Sequence, residues 1–192
     1  MTPEIEKYSF AGESVLRFHL PDSVALNFSL FADLRKGRSD FTYSHRINGR
    51  WENTYLPIEK IPAAREAILS ARDVAADVFG KRLLALFEPV GNSQNPPFWF
   101  NLAEPGEITG VHDHSSEATV SGVYYISAPS QSGNLFFPVE GEEDFVLEPI
   151  EGTVVLFASN LMHGVKGNSS NLIRISLAFN LFMLPLPLPR QV

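Results

Sequence analysis

The sequence predicts a mainly β fold, a jelly-roll (double-stranded β-helix) barrel backed by N-terminal helices. Three observations carry this prediction. Beyond residue 95, short apolar runs recur at 98–103, 119–126, 134–138, 144–147, 153–157 and 171–183, punctuated by Gly, Pro, Ser and Asn, the texture of many short strands. Before residue 95 the clearest pattern is helical, over 62–79. The length of 192 residues, with 44% hydrophobic and 19% charged side chains, suits one domain with a sizeable core. The expected organisation is a single domain over 1–192: strands and helices at 1–95 buttress a jelly-roll core at 96–184, and a Pro-rich tail follows at 185–192.

In chain order, residues 15–20 alternate, with Leu16, Phe18 and Leu20 on one face of a short strand. Residues 24–34 read as a helix stopped by Arg35, Lys36 and Gly37. Residues 41–47 and Arg50-Trp51 flank Asn48-Gly49, a pair that supplies a type I′ hairpin turn. In the helix over 62–79, Pro62 suits the first turn. Ala64, Ala67, Ile68, Ala71, Val74 and Val78 form an apolar stripe, and Gly80 follows the end. Among the later runs, the aromatic group Phe98, Trp99 and Phe100 reads as core packing. Tyr124 is expected to face opposite Tyr125 and to pack outward, and the acidic group around Gly141 reads as a solvated turn.

Composition then narrows the chemistry. Fifteen Lys+Arg against 22 Asp+Glu give a net charge of −7, which argues against binding a phosphate backbone. No nucleic-acid partner is expected. No apolar run approaches the ~18 residues that span a bilayer, and the first ten residues carry no secretory signal. A cytoplasmic protein without a membrane partner is therefore expected. The apolar tail LFMLPLPLPRQV, broken by prolines, reads as an extended segment and a contact for a possible homodimer. There are no cysteines, so any metal must be held by His and carboxylates.

Only five histidines are available: His19, His45, His112, His114 and His163. His19 and His45 read as ordinary core or surface residues. In an extended segment residues i and i+2 point to the same side, so His112 and His114 could reach one metal while Asp113 points away. A bend would bring in Asp113 or Glu117 instead. His163 could join from a distant strand, because the strands of a barrel converge inside. The strand at 171–183 adds a second signal. Ile173, Ile175, Leu177 and Phe179 share one face; Leu172, Arg174, Ser176, Ala178 and Asn180 share the other. An Arg and a Ser on an otherwise apolar face need partners. A guanidinium is matched best by a carboxylate, either a ligand's or that of an acidic residue at the barrel mouth.

Seven motifs follow in order over roughly 98–183: Trp99-Phe-Asn101, His112-Asp-His114, Ser121-Gly-Val-Tyr-Tyr125, Ser132-Gly-Asn-Leu-Phe-Phe137, Gly152-Thr-Val-Val-Leu-Phe157, His163 and Arg174-Ile-Ser176. In this order and spacing the chain resembles the Fe(II)/2-oxoglutarate-dependent oxygenases, in the branch with H-x-H followed by S-G-V-Y-Y. The resemblance implies Fe(II) as cofactor, 2-oxoglutarate as cosubstrate, and O2. It implies His112 and His163 as metal ligands. Where the wider superfamily has H-x-D or H-x-E, this chain has His114, which becomes the expected third ligand, with Asp113 and Glu117 as alternatives. It also implies that Arg174 and Ser176 bind the distal carboxylate of 2-oxoglutarate, that Tyr125 hydrogen-bonds the same carboxylate, and that Asn101 contacts the other end. The reaction implied is a dioxygenase's: an unactivated C–H of a small molecule or protein side chain is hydroxylated, with release of succinate and CO2.

Two other readings stay open from the residues alone. Gly106, then His112-x-His114 and Glu117, approximate the first cupin motif, which would make a metal-dependent dioxygenase or isomerase without 2-oxoglutarate. A non-catalytic jelly-roll binding module is the other. The pocket lining is expected from the 38–58 hairpin and from loops after Ser115 and Ser127, where sequence carries no readable code for a substrate.

Overall fold

A strand buried on both faces needs cover on both sides, and residues 153–157 (Thr-Val-Val-Leu-Phe) are buried throughout. The computed structural model, which describes residues 3–44, 46–47, 50–115 and 118–186, supplies that cover with helices on one side and a second sheet on the other. In chain order the elements are β1 (Ile5–Phe10), β2 (Glu13–His19), α1 (Ser23–Lys36), β3 (Thr42–Tyr43), β4 (Arg46–Ile47), β5 (Arg50–Trp51), β6 (Thr54–Tyr55), α2 (Pro62–Phe79), β7 (Leu84–Ala85) and β8 (Phe98–Ala103). Then follow β9 (Thr109–His112), β10 (Val120–Ser127), β11 (Leu135–Phe137), β12 (Phe145–Leu147), β13 (Thr153–Ala158), β14 (His163–Val165) and β15 (Arg174–Phe182).

The large sheet runs β1-β2-β13-β10-β15-β8-β6-β3, with β7 also paired to β15, and the small sheet runs β12-β11-β14-β9. Both are antiparallel, as a jelly roll requires. Alternation sorts the side chains between two apolar clusters. Leu16, Phe18, Tyr124, Val154, Leu156, Leu177 and Phe179 point to the helical side, where they meet Leu26, Leu30, Ala64, Ala67, Ile68 and Ala71. Val15, Tyr125, Val155 and Phe157 point between the sheets and meet Leu135, Phe137, Leu147 and Leu161. Each fully buried Leu or Phe contributes about 1.5–3 kcal/mol.

Both expected helices form. α2 begins on Pro62 and ends at Gly80, whose φ of 61° is left-handed, a conformation glycine adopts without a Cβ clash. α1 runs on through Arg35 and Lys36, because basic side chains in a last turn favour the helix dipole rather than ending the helix. Tyr124 lies opposite Tyr125, as alternation demands, yet it is buried under α1, and its hydroxyl donates to Asn27 Oδ1 at 2.5 Å. The arms of the expected hairpin pair as β4 and β5, Ile47 opposite Arg50; Asn48-Gly49 and His45 lie outside the described residues. So does the tail beyond residue 186, where the dimer contact was expected. Among the described residues no helix is long and apolar enough to cross a membrane.

In the large sheet, close approach requires a glycine at position 122. A Cβ on Gly122 of β10 would lie 2.3 Å from the Phe179 ring and 2.9 Å from Leu156 Cδ2. Gly122→Ala is therefore expected to destabilise the fold by about 1–3 kcal/mol through overpacking, seen as a lower urea midpoint with an unchanged slope.

Candidate active site

Three neighbouring strands turn one face into the barrel, and their register sets the polar residues in rows. Ser121 of β10 lies opposite Asn180 of β15; Val123 lies opposite Ala178, which faces Trp99 of β8. Tyr125 lies opposite Ser176, which faces Asn101, and Arg174 begins β15 at the far end. These rows floor a cavity of about 850 Å³, a size typical of small-molecule sites.

The small sheet brings the histidines over this floor. His112 ends β9, His163 begins β14, and the two are direct cross-strand partners with ring centroids 4.5 Å apart. The His114 ring lies 5.0 Å from that of His112 and 5.6 Å from that of His163. One nitrogen from each of the three lies within 4.8 Å of the others, a group that could hold a metal ion. His112 Nδ1 is 2.8 Å from Gly110 O, and His163 Nδ1 is 2.9 Å from Leu161 O. With Nδ1–H donating to those carbonyls, each Nε2 keeps its lone pair for a metal, the outer-shell arrangement that orients ligating imidazoles. Burial, reinforced by the neighbouring His112 and His114, pushes His163 down to about 3, which holds it in the neutral form that ligates.

His112 and His114 turn to one side and Asp113 to the other, as alternation in an extended segment expects. β9 ends at His112; His114 N donates to Ser159 O at 2.9 Å, and the chain turns only after His114, where Ala118 N donates to His114 O at 3.0 Å. Asp113 is left exposed and outside the histidine group. Its Oδ1 accepts from the Ser115 amide at 3.0 Å and the Ser115 hydroxyl at 2.9 Å, bonds that hold its carboxyl below the usual range. Glu117 lies outside the described residues.

At the other end Arg174 is 2% exposed. Its Nη1 donates to Ser132 O at 2.7 Å and Gly133 O at 3.1 Å, which fixes the guanidinium against the 132–133 turn. Gly133 has a φ of 98°, and a Cβ there would lie 2.1 Å from Lys166 O and 2.9 Å from Arg174 Nη1, so no larger residue fits under the guanidinium. Ser176 and Tyr125 are buried beside it. Burial pushes the Tyr125 phenol up to about 12, so at neutral pH it remains a hydrogen-bond donor. Asn101 stands across from Ser176, but its amide Nδ2 donates to Glu52 O at 2.8 Å and Asn53 Oδ1 at 3.3 Å. Contact with a carboxylate would require one of these bonds to be exchanged.

Several lining residues were not foreseen. Trp99 does not join Phe98 and Phe100 in the core; it turns into the cavity, 5.5 Å from the His114 ring. On a strand covered on both faces, alternation alone does not tell a core side from a cavity side. The 38–58 segment lines the cavity as expected, through Ser44, Glu52, Asn53 and Tyr55, but the loop after Ser127 does not. The loop over 90–97 takes that place. Ser121 and Asn180 complete the floor, and their signal was present: Asn180 shares the polar face of Arg174 and Ser176.

Residues 138–180 match the sequence model of the family described as "Putative 2OG-Fe(II) oxygenase". That segment holds His163, Arg174, Ser176 and Asn180. Comparison with curated proteins gives no sequence match. Among solved structures, the non-heme alpha ketoglutarate dependent carbocyclase SnoK of nogalamycin biosynthesis superposes with a TM-score of 0.70 at 14% identity, covering 92% of this chain and 83% of its own. A prolyl hydroxylase from Trichoplax adhaerens, in complex with a hypoxia inducible factor peptide, gives 0.61 at 11% identity, covering 82% and 78%. A Pseudomonas putida prolyl-4-hydroxylase gives 0.52 at 19%, covering 88% and 89%. Fe(II), 2-oxoglutarate and O2 are the cofactor and cosubstrates of that family. The chain has the jelly-roll fold of the 2OG-Fe(II) oxygenases, matches their sequence pattern over residues 138–180, and so carries in structure the resemblance its motifs announce.

Proposed function

We propose that the chain is a non-haem Fe(II)- and 2-oxoglutarate-dependent dioxygenase that hydroxylates an unactivated C–H bond. The observation that carries this reading is one cavity holding both the group His112, His114 and His163 and, on its floor, the buried Arg174–Ser176–Tyr125 cluster. A cupin or a passive binding module has no need of a buried guanidinium in the cavity that holds its metal site, which is why this reading is preferred.

In this proposal His112, His114 and His163 hold iron through Nε2 of at least His112 and His163, whose Nδ1 atoms are engaged with backbone carbonyls. Three histidines would leave a bound metal open to further ligands from the cosubstrates. Arg174 binds the distal carboxylate of 2-oxoglutarate; Ser176 and the protonated Tyr125 hydroxyl donate to the same group. Asn101, tied to residues 52–53, walls that end. Bound iron with 2-oxoglutarate and O2 supplies the oxidising power: one oxygen atom enters the substrate as hydroxyl, the other enters succinate, and CO2 leaves. The protein's own work is to orient the cosubstrate and to present the target carbon near the histidines.

The known structures that share this fold include a carbocyclase as well as hydroxylases, so the outcome is tested on its own. Purified protein given Fe(II), ascorbate and 2-oxoglutarate in air is expected to release succinate slowly without substrate, and faster with it. 18O2 is expected to label both succinate and product. Succinate that forms only as fast as in protein-free controls would overturn the proposal. Unlabelled product with succinate formed would overturn hydroxylation alone.

A further inference from the structure

Resting on the proposed function, we infer that Asn180, set by Ser121 and flanked by Trp99, reads the substrate at the cavity end remote from Arg174, and that the substrate is uncharged there, presenting a carbonyl or hydroxyl oxygen. The geometry begins with a chain of hydroxyls. Ser159 Oγ and Ser121 Oγ are 3.0 Å apart, and Ser121 Oγ donates to Asn180 Oδ1 at 2.9 Å. A side-chain amide has one acceptor and one NH2 donor. With its oxygen committed to Ser121, the group Asn180 offers the cavity is the NH2. Asn180 is 3% exposed and lines the cavity, so whatever meets that donor is inside the site.

Position separates this donor from the cosubstrate cluster. Asn180 lies six residues beyond Arg174 on β15, roughly 20 Å along an extended strand at about 3.3 Å per residue. Trp99 stands between the two, opposite Ala178 and beside the His114 ring, so the far end is on the histidine side of the cavity. Asn180 N also donates to Pro97 O, which joins this end to the 90–97 loop. There the cavity wall presents Asn92, Ser93 and Asn95, all neutral and hydrogen-bonding.

Charge then selects the class. Histidines aside, the charged side chains among the described lining residues are Glu52, Asp113 and Arg174. Arg174 is at the opposite end. A carboxylate or phosphate placed near Asn180 would meet an amide donor but no cationic side chain, with Asp113 on the histidine side, and an anion drawn onto the metal instead would compete with 2-oxoglutarate rather than sit at Asn180. Stripping an anion of water without a countercharge is costly. A cation would meet a donor where it needs an acceptor. A carbonyl or hydroxyl oxygen satisfies the NH2 at no such cost, and the Trp99 ring offers an apolar face to the carbon skeleton around it. Amides and polyols share this chemistry, and the experiment separates them.

The test uses protein loaded with Mn(II) and 2-oxoglutarate, so binding is read by calorimetry without turnover. One probe set pairs N-acetyl amino-acid methylamides with the matching free acids. The other pairs methyl glycosides with the matching uronic acids. At least one uncharged series is expected to bind tenfold or more tighter than its carboxylate partner, and the set that binds tells amide from polyol. Asn180→Asp, which swaps the NH2 for an acceptor, is expected to weaken that binding on the order of tenfold or more and to change 2-oxoglutarate affinity less than twofold. Ser121→Ala, which frees the amide to flip, is expected to give a smaller loss. Equal or tighter binding of the acids, no binding by any probe, or an equal loss of 2-oxoglutarate in Asn180→Asp would each overturn the inference. Failure of the wild type to take up 2-oxoglutarate with Mn(II) would instead strike at the proposed function.

Discussion

Replacing His114 with alanine is expected to lower metal affinity by more than the 10- to 100-fold typical of removing an outer-shell partner, with succinate release falling to background. The neighbouring Asp113→Ala is expected to stay within about twofold of wild type. The two residues are adjacent, but their side chains turn to opposite sides, which separates their roles. The His114 ring sits 5.0 and 5.6 Å from its two companions, while Asp113 is exposed and spends Oδ1 on Ser115. Competition with a chromogenic chelator measures both variants. Loss of metal in Asp113→Ala with retention in His114→Ala would show that a carboxylate completes the site.

Arg174→Lys is expected to raise the 2-oxoglutarate concentration needed for half-maximal uncoupled turnover on the order of 10- to 100-fold, with metal affinity unchanged. A lysine keeps the charge but loses the planar fork, and a hydrogen bond to a charged group is worth about 1.5–3 kcal/mol. It also abandons Ser132 O and Gly133 O, the carbonyls that hold the guanidinium in plane. Titration of 2-oxoglutarate against Mn(II)-loaded protein separates this from a folding defect. Parallel loss of metal and cosubstrate would make Arg174 a structural residue.

Much of the β half was legible because its strands are long enough to alternate. β8 spans the residues expected for it, and β15 carries the polar face of Arg174, Ser176 and Asn180 opposite the apolar face of Leu177 and Phe179. The strands that carry the two paired histidines were not, since β9 has four residues and β14 three, too few for a period to show. β1 escaped for another reason: its residues are only partly buried or exposed, so its pairing with β2 rather than an apolar stripe defines it. His114 is legible beside the paired histidines, because alternation turns it to the side of His112 and turns Asp113 away. The 90–97 loop has no period to betray that it lines the cavity. Trp99 sits between apolar neighbours, and only the assembled barrel tells which of its strand's faces is hollow.

The central claim is that the histidine group and the Arg174 cluster serve one iron-bound 2-oxoglutarate, and anaerobic titration measures this directly. With Fe(II) alone or 2-oxoglutarate alone the protein is expected to remain colourless. With both, a visible charge-transfer band is expected, saturating at one equivalent of each and lost on His163→Ala. No band, with Fe(II) and 2-oxoglutarate binding independently or not at all, would contradict it.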